Sequence, residues 1–300
     1  MPNHGAKINY MFKKNTQDES TAQSYDPTWI NEKQSSQQNE ANKVEQSKIQ
    51  WTGPTWNPWH GCIKVSDGCR FCYMYRDKEK YGQDAKLVVK SKTKFKEPLK
   101  WKTPQLVFTC SWSDWFIEEA DEWRHEAWEI IKNTPQHTYQ ILTKRPERIM
   151  QCLPADWGEG YPNVWLGTSV ESNKVKERVE ILSRVPAQMR FISAEPLIGE
   201  LNLDEYADIM SEKFHWVIIG GESGNDKGHY RYRECKLEWI EGLITACREY
   251  GVSVFVKQLG THLSKELVCK DRHAGKIAEW PVHLQVREFP IDITNFNINS

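Results

Sequence analysis

The sequence predicts an α/β protein built as a full or partial βα barrel. Short apolar runs recur from residue 49 onward, with polar turns and segments of helical periodicity between them. Near-continuous apolar runs of this length are typical of parallel strands that are covered on both faces. Their alternation with helices favours a parallel α/β sheet. A count of about six to seven strands favours a barrel over a short open sheet.

The predicted strands fall between residues 50 and 256. They are a segment near Gln50–Trp56 and the runs Leu106–Thr109, Thr138–Thr143, Asn163–Thr168, Met189–Ser193, His215–Gly220 and Val252–Val256. Helices are predicted over Ala120–Lys132, Ser172–Arg184 and Glu234–Tyr250, and Gly251 provides a C-terminal stop for the last of them.

Composition sets the domain limits. The first 48 residues are polar, and Asn31–Lys48 contains Val44 as its only bulky aliphatic residue and no aromatic residue. Such a segment buries too little apolar surface to offset the entropy of ordering it. We therefore predict a disordered leader over residues 1–48, a barrel over 49–260, and a C-terminal extension over 261–300 that packs on the barrel.

Charge and hydropathy exclude several classes of protein. The 40 basic and 41 acidic residues give a net charge of −1, which argues against a uniformly basic coat for nucleic acid but allows a local patch. No apolar run is long enough to span a membrane. Because Met1–Lys14 lacks the apolar core of a signal peptide, we expect a cytoplasmic protein. Its eight cysteines are then expected to be free thiols or metal ligands.

Three cysteines follow the first predicted strand. Cys62, Cys69 and Cys72 have the spacing C-x6-C-x2-C. Such thiolates can hold three irons of a 4Fe–4S cluster and leave the fourth iron open. Structural zinc is the alternative, because His60 would complete a Cys₃His set, and a disulfide with a spare thiol is a third. Zinc usually organises small domains without a core, so the size of this domain favours the cluster.

Polar segments follow six of the predicted strands, where a barrel places its site. These segments are residues 111–114, 144–147, 169–172, 194–196, 221–224 and 257–258.

A cysteine loop after the first strand of a βα barrel resembles the radical S-adenosylmethionine superfamily, although that superfamily usually has the spacing C-x3-C-x2-C. The run Trp56–Tyr73 is similar to the start of a phage- and bacteria-encoded three-cysteine family long labelled a domain of unknown function. The similarity covers about residues 50–290. It continues, in order, through Ser111–Phe116, Leu142–Pro146, Gly167–Glu171, Ser193–Leu197, Gly220–Gly224, Val256–Gln258, Glu279–Pro281 and Val286–Pro290.

The resemblance implies a partial barrel of the radical S-adenosylmethionine type, with a 4Fe–4S cluster on Cys62, Cys69 and Cys72. Some phage members of the family are associated with thymidine hypermodification, in which N-linked glycinyl-thymidine in DNA is rearranged to its C-linked isomer. The implied protein is an isomerase of modified thymidine in the host cytoplasm, which helps phage DNA to evade restriction and needs an external electron donor. Two alternatives remain open: a thymine-lesion lyase similar to spore photoproduct lyase, and a non-catalytic, zinc-stabilised nucleic-acid-binding protein.

Under this interpretation, the polar loops supply candidate ligands for S-adenosylmethionine. We expect Tyr73 against the adenine and Asp114, in the loop with Ser111, near the methionyl amino group. Ser169 and Glu171 suit the ribose hydroxyls, since paired acceptors suit a diol. Lys144 and Arg145 suit the methionyl carboxylate or a substrate phosphate.

Three further residues are candidates for catalysis. Glu195 and Glu222 could bind a substrate amine, or could pair with Lys257 in a structural network. Cys110 ends the second strand and could donate a hydrogen atom, although a small buried hydrophobic residue is the alternative.

A basic segment follows the cysteines. Arg76–Lys102 contains nine Lys and one Arg against four acidic residues, a net charge of +6. We expect it to surround the mouth and hold DNA phosphates, with Tyr75, Tyr81 and Trp101 stacking on bases; a solvated face is the alternative. A target base in duplex DNA would have to be flipped out.

The tryptophans are predicted to fall into two groups. Trp165 and Trp216 lie inside predicted strands and are expected in the core. A second group is expected as a dry wall around the first two strand ends: Trp51, Trp56, Trp59, Trp112 and Trp115.

Overall fold

The computed structural model describes residues 44–296. Seven strands form one parallel sheet in which each strand pairs with the next along the chain. They are β1 (Thr55–Trp56), β4 (Leu106–Thr109), β5 (Thr138–Thr143), β6 (Val164–Ser169), β7 (Met189–Leu197), β8 (Trp216–Gly221) and β9 (Ser253–Gln258). The sheet curls into a half-barrel, which confirms the predicted α/β class and partial barrel. A separate two-stranded antiparallel sheet, β2 (Trp59–His60) and β3 (Val89–Lys90), was not predicted.

Helices connect the strands. They are α1 (Tyr73–Lys80), α2 (Asp121–Lys132), α3 (Ile149–Cys152), α4 (Glu177–Ser183), α5 (Ala207–Lys213), α6 (Leu237–Glu249) and α7 (Gly260–Glu266). The three predicted helices correspond to α2, α4 and α6. Helix α4 is shorter than predicted because its first turn, Asn173–Val175, is 3₁₀, with the Ser172 hydroxyl accepting from the Lys174 amide. Within residues 44–296, no helix combines the length and the apolar character that crossing a bilayer requires.

Aromatic side chains fill the amino end of the half-barrel on the inner face of the sheet. We call this cluster the aromatic plug; its buried members are Trp51, Leu106, Phe108, Trp165, Phe191, Trp216, Ile218 and Phe255. Trp216 lies at its centre. The centroid of its ring is about 6 Å from the ring centroids of Trp51, Trp165, Phe191 and Phe255. The prediction that Trp165 and Trp216 belong to the core is confirmed.

The outer core lies on the other face of the sheet, under the helices. Trp56, Trp59 and Trp115 are fully buried there, with no exposed surface. The expectation that these three tryptophans form a wall of the site is therefore wrong: they belong to the packing layer behind the sheet.

The ends of the described chain pack on the half-barrel. The predicted leader lies outside the described residues as far as residue 43. Val44 packs on the outer core and Gln46 donates to Gln105, so the packed chain extends N-terminal to the predicted boundary at residue 49. At the other end, Val256 donates to Val286 and Glu288 donates to Val254, which covers the free edge of β9.

Gly167 shows how tightly the aromatic plug is packed. A Cβ atom at this position would lie 2.3 Å from the ring of Phe191, which is fully buried. Gly167→Ala is expected to destabilise the fold by about 1–3 kcal/mol, because the buried ring cannot move away. Urea unfolding would measure this loss.

Gly242→Ala is the matched control. Gly242 lies on α6, and its added Cβ would meet no atom within 4 Å. The same change should therefore stabilise the fold by roughly 0.5–1 kcal/mol through helix propensity. Equal effects of the two substitutions would contradict the steric explanation.

Candidate functional site

A cavity of about 640 Å³ lies at the carboxyl ends of the strands. Trp51, Phe108 and Leu142, which belong to the aromatic plug or pack on it, form part of its lining. Residues 61–72, here called the cysteine loop, cross its mouth. Cys62, Cys69 and Cys72 all line this one cavity. Ligand cavities in barrels occupy this end of the fold.

Local sequence explains how the chain passes from β2 into the cysteine loop. Gly61 has φ of +98°, and a Cβ there would lie 2.2 Å from the carbonyl oxygen of Leu87, so glycine is required. The Cys62 amide donates to the carbonyl of Ala85, and the Tyr75 hydroxyl donates to the carbonyl of Cys62. Helix α1 begins at Tyr73, directly after the last cysteine.

Asp114, in the loop after β4, forms the first of three ion pairs that hold the cysteine loop. Its carboxylate accepts from the Thr143 hydroxyl and the Phe116 and Lys144 amides, and it pairs with Arg145 at 3.2 Å. Arg145 in turn donates to the carbonyl of Ile63 at 2.7 Å. Both carboxylate oxygens of Asp114 are thus used twice. Asp114 lines the cavity while it positions Arg145, so its predicted contact with a methionyl amino group stays a prediction.

Glu171, just after β6, forms the second pair. It is 1% exposed and accepts from Ser66 of the cysteine loop at 2.8 Å, Lys144 at 3.1 Å and Arg178 at 3.0 Å. Burial acts to raise the pKa of Glu171, but Lys144 and Arg178 outweigh it and hold that pKa below its ordinary value. A Cβ at Gly68 would lie 2.3 Å from Glu171 Oε1, so the loop rests directly on this carboxylate. The predicted ribose-binding role of Glu171 is therefore wrong: its side chain lies behind the loop and outside the cavity lining.

Glu222, which follows β8, forms the third pair with Arg233. The guanidinium of Arg233 donates to both carboxylate oxygens of Glu222, and the backbone amide of Arg233 also donates to this carboxylate. A further nitrogen of Arg233 donates to the carbonyl of Asp67 in the cysteine loop at 2.8 Å. Glu222 also lines the cavity. It forms a structural pair, with Arg233 in place of the predicted Lys257, and its predicted contact with a substrate amine stays a prediction. Sequence reasoning missed Arg233 because it lies 11 residues beyond Glu222, away from any strand end.

Glu195 and Lys257 form an ion pair that lines the cavity without touching the cysteine loop. About a fifth of each side chain is exposed. The predicted pairing of Glu195 with Lys257 is present, and because Glu195 also lines the cavity, its contact with a substrate amine stays a prediction. Nearby, Gln258 donates to Ser223 and to the carbonyl of Gly221.

The remaining predicted ligands lie in the cavity lining. Tyr73 donates to the carbonyl of Ser111, and the Ser111 hydroxyl bonds with Asn57. Ser169 is buried in the lining, and Lys144 reaches the lining while paired with Glu171.

Cys110 also lines the cavity and is 3% exposed. Its backbone has φ of +54°, a left-handed conformation that is uncommon for a residue with a side chain. Burial raises the pKa of its thiol well above the ordinary value, so the thiol is protonated at neutral pH. A protonated thiol facing the cavity has an S–H hydrogen that it can donate.

The donor set can be tested against the two metal groups that the sequence suggested. Between residues 44 and 296, no three His, Cys, Asp or Glu side chains converge where one ion would fit. A tetrahedral zinc site requires such convergence, with Zn–S near about 2.3 Å. His60 contributes no ligand to the cavity, since its Nδ1 lies 2.6 Å from Lys78 Nζ. A 4Fe–4S cluster bonds each thiolate to a different iron, so three thiols that share one cavity fit it better.

The basic segment lies elsewhere than predicted. Of its ten cations, Arg76 is the one in the cavity lining. Lys90, in β3, and Lys96, which follows it, pair with Glu126 of α2. Trp101 is buried against His137 rather than presented for stacking. The expectation that this segment surrounds the mouth is therefore wrong, because nine of its ten cations lie outside the cavity lining.

Other cations line the cavity. Lys48 and Lys64 are exposed there and have no carboxylate partner among the described residues. Lys64 donates instead to the carbonyl of Arg70. These two residues leave positive charge at the entrance.

Comparison with known proteins places most of the chain in one family. The family described as "Protein of unknown function (DUF5131)" matches residues 46–285. No curated protein and no solved structure matches the chain.

The buried ion pair at Glu171 provides a test of how the cysteine loop is held. Glu171→Gln keeps the shape of the side chain but leaves Lys144 and Arg178 without their anion. We expect a loss of about 3–5 kcal/mol in the free energy of unfolding, together with faster alkylation of Cys69 by iodoacetamide in the folded protein.

Asp67→Asn is the matched control, because it removes a carboxylate from the same loop. Its pair with Lys174 is solvent-exposed, and such pairs contribute little to stability. An alkylation rate of Cys69 that rises equally in both variants would contradict the role given to Glu171.

Proposed function

The chain belongs to the DUF5131 family of proteins of unknown function, and we propose that it is a radical S-adenosylmethionine enzyme acting on a nucleic-acid base. The most concrete form of the proposal is isomerisation of N-linked glycinyl-thymidine to the C-linked form in phage DNA. It would take place in the cytoplasm and use an electron donor from outside the chain.

One observation carries the proposal. The three cysteines of a single loop line one cavity at the carboxyl end of a half-barrel, and ion pairs from three strand ends hold that loop in place. A scaffold of this kind fixes three thiols while leaving space beside them. That arrangement supports a cluster with an open coordination position.

Cys62, Cys69 and Cys72 would hold the 4Fe–4S cluster, and Tyr73, Ser111 and Ser169 remain as candidates to contact S-adenosylmethionine. Bound there, the two groups supply one-electron chemistry at carbon atoms that lack acidic protons. Arg145, whose nitrogen lies 4.0 Å from Cys62 Sγ, places positive charge next to that ligand. Such contacts tune the potential of a cluster.

The substrate would meet a different part of the lining. Glu195 and Lys257 offer one charge of each sign to a polar group on the base. Cys110, which follows β4, is the candidate that gives a hydrogen atom to the product; the thiyl radical left on its sulfur would be reduced by one electron from the external donor and one proton. The aromatic plug excludes water from beneath the reacting atoms, which suits chemistry that water would quench.

A nucleic-acid substrate is supported by the charge at the entrance. Lys48, Lys64 and Arg76 are exposed in the lining, while the acidic residues of the lining are already paired with cations. Phosphates are attracted to such a rim. The depth of the site requires a base that is single-stranded or flipped out of the duplex.

Cys69→Ala tests the cluster assignment. After anaerobic reconstitution, the parent protein should be brown, contain about four irons, and cleave S-adenosylmethionine reductively. The variant should lose the cleavage and most of the iron, as measured by iron analysis and chromatography of the nucleoside product.

Cys247→Ala is the matched control. Cys247 is fully buried in the outer core and does not line the cavity. It should keep both the iron and the cleavage. Retained turnover in Cys69→Ala would refute the assignment, and a colourless parent protein with one zinc would refute the enzyme.

The substrate is tested with DNA that contains N-linked glycinyl-thymidine. Digestion after the reaction should yield a nucleoside of unchanged mass and altered retention. Conversion of a thymine dimer instead would identify a repair lyase. Cleavage of S-adenosylmethionine with neither change would refute the substrate and leave the chemistry standing.

The entrance lysines give a separate prediction for DNA binding. Replacing Lys48 and Lys64 with Ala should weaken binding of single-stranded DNA and reduce the slope of log K against log salt by about 0.7 for each phosphate that is no longer neutralised. Replacing Lys100 and Lys102, which are exposed outside the cavity lining, should change the slope less. Fluorescence anisotropy in a salt series would measure the slope for both variants. A larger change in the variant without Lys100 and Lys102 would instead support the prediction that the basic segment holds DNA phosphates.

A further inference from the structure

A continuous row of aromatic rings crosses the outer core. We call it the aromatic chain: Trp59, Trp115, Trp128, Trp157 and Tyr161. Successive ring centroids are 5.1, 5.1, 5.3 and 4.9 Å apart. Contacts of this length give strong electronic coupling between neighbouring rings, and coupling falls steeply with any gap.

The inner end of the aromatic chain lies beside the site. Trp59 precedes Cys62 by three residues, and its indole donates to the carbonyl of Asp114 at 3.1 Å. Asp114 pairs with Arg145, which reaches Cys62 Sγ at 4.0 Å. Hydrogen bonds and one short covalent path thus connect the first ring to the cysteine loop.

A second connection reaches the cavity through Cys110. The Cys110 amide donates to the carbonyl of Trp56 at 2.8 Å. The ring of Trp56 lies 5.7 Å from that of Trp115. The aromatic chain is therefore connected both to the cysteine loop and to Cys110.

The outer end is a tyrosine at the surface. The hydroxyl of Tyr161 donates to Asp156 at 2.6 Å, and Asp156 is exposed and also pairs with Lys132. Burial and Asp156 raise the pKa of Tyr161, so the phenol is protonated at neutral pH. A tyrosine gives up an electron readily when a base can take its proton, and Asp156 is such a base.

The tryptophans between these ends lack bases. Trp115 has no exposed surface, and its indole nitrogen has no hydrogen-bond partner within residues 44–296. Trp128 and Trp157 donate only to backbone carbonyls, those of Cys152 and Pro186. An oxidised indole in this row keeps its proton and its charge, so it passes the charge on instead of trapping it.

We propose that the aromatic chain carries oxidising equivalents from the cysteine loop to the surface at Tyr161. A thiyl radical formed at the loop takes one electron from Trp59 and becomes a thiolate. Trp115 then gives one electron to Trp59, Trp128 gives one to Trp115, and Trp157 gives one to Trp128. Finally, Tyr161 gives one electron to Trp157. The phenolic proton passes to Asp156. The oxidant is thereby reduced by one electron, and the neutral tyrosyl radical is reduced by a thiol or ascorbate in solution, which returns one electron and one proton.

The path protects the site from its own oxidation. A cysteine that is left as a thiyl radical is otherwise oxidised further, to higher oxidation states of sulfur. The identity of the natural oxidant depends on the proposed function, but the path itself does not, since it can be driven in protein that contains no metal.

The test uses a photo-oxidant in place of the natural one. A ruthenium polypyridyl label is attached to Cys62 in the full chain after Cys72, Cys152 and Cys269 are replaced by Ser. Flash oxidation with an external electron acceptor should give the electron paramagnetic resonance signal of a tyrosyl radical. Ring-deuterated tyrosine should narrow that signal, which identifies it as tyrosine.

Substitutions locate the radical and the path. Tyr161→Phe, a change at a partly exposed residue, should abolish the signal, and so should Trp128→Phe. Trp165→Phe, in the aromatic plug and outside the path, should leave it unchanged. Asp156→Asn should delay its appearance, since the proton then lacks its acceptor.

Two results would overturn the proposal. One is a radical that survives Tyr161→Phe and disappears in Tyr75→Phe, which would place it on the tyrosine next to the label. The other is loss of the signal in Trp165→Phe to the same extent as in Trp128→Phe. If Trp128→Phe fails to fold, the Tyr161→Phe and Tyr75→Phe results still decide between the two locations.

Discussion

Buried ion pairs at the carboxyl ends of the strands are the constraint on which the site depends. The cysteine loop has little apolar surface of its own to bury, and Ile63 and Val65 within it are exposed. Its place is set by Arg145, Glu171 and Arg233, each of which reaches it from a strand end or a following loop. A buried charge that loses its partner is costly. Because each of these charges has several partners at once, displacing the loop would expose or unpair more than one of them.

Sequence reasoning recovered the sheet for a physical reason. Strands such as Val164–Ser169 and Trp216–Gly221 are buried along their whole length, so their composition alone marks them. Strands β2 and β3 have two residues each, which is too few for an alternation of apolar and polar residues to be recognised in the sequence. The sequence also placed polar side chains at the strand ends correctly, and Cys62, Cys69 and Cys72 in one cavity.

The roles of the strand-end carboxylates could not be read from the sequence. Asp114, Glu171 and Glu222 sit where either a ligand-binding residue or a loop-holding residue would sit. What separates the two is whether a cation from elsewhere reaches the carboxylate. The sequence predicts the helix that carries Arg178 but not which carboxylate this side chain reaches, and Arg233 lies in a segment without regular secondary structure. Glu195 and Lys257 differ because they line the cavity without holding the cysteine loop, so that pair remains available to a ligand.

The aromatic plug has a consequence for the order of binding. It fills the amino end of the half-barrel with Trp165, Phe191 and Trp216, while the cysteine loop crosses the carboxyl end. Two ligands that occupy such a blind cavity must pass through the same entrance. In the proposed enzyme, the ligand seated deeper would have to arrive first and depart last. Steady-state kinetics would then follow a compulsory sequence, with the outer ligand slowing the escape of the inner one.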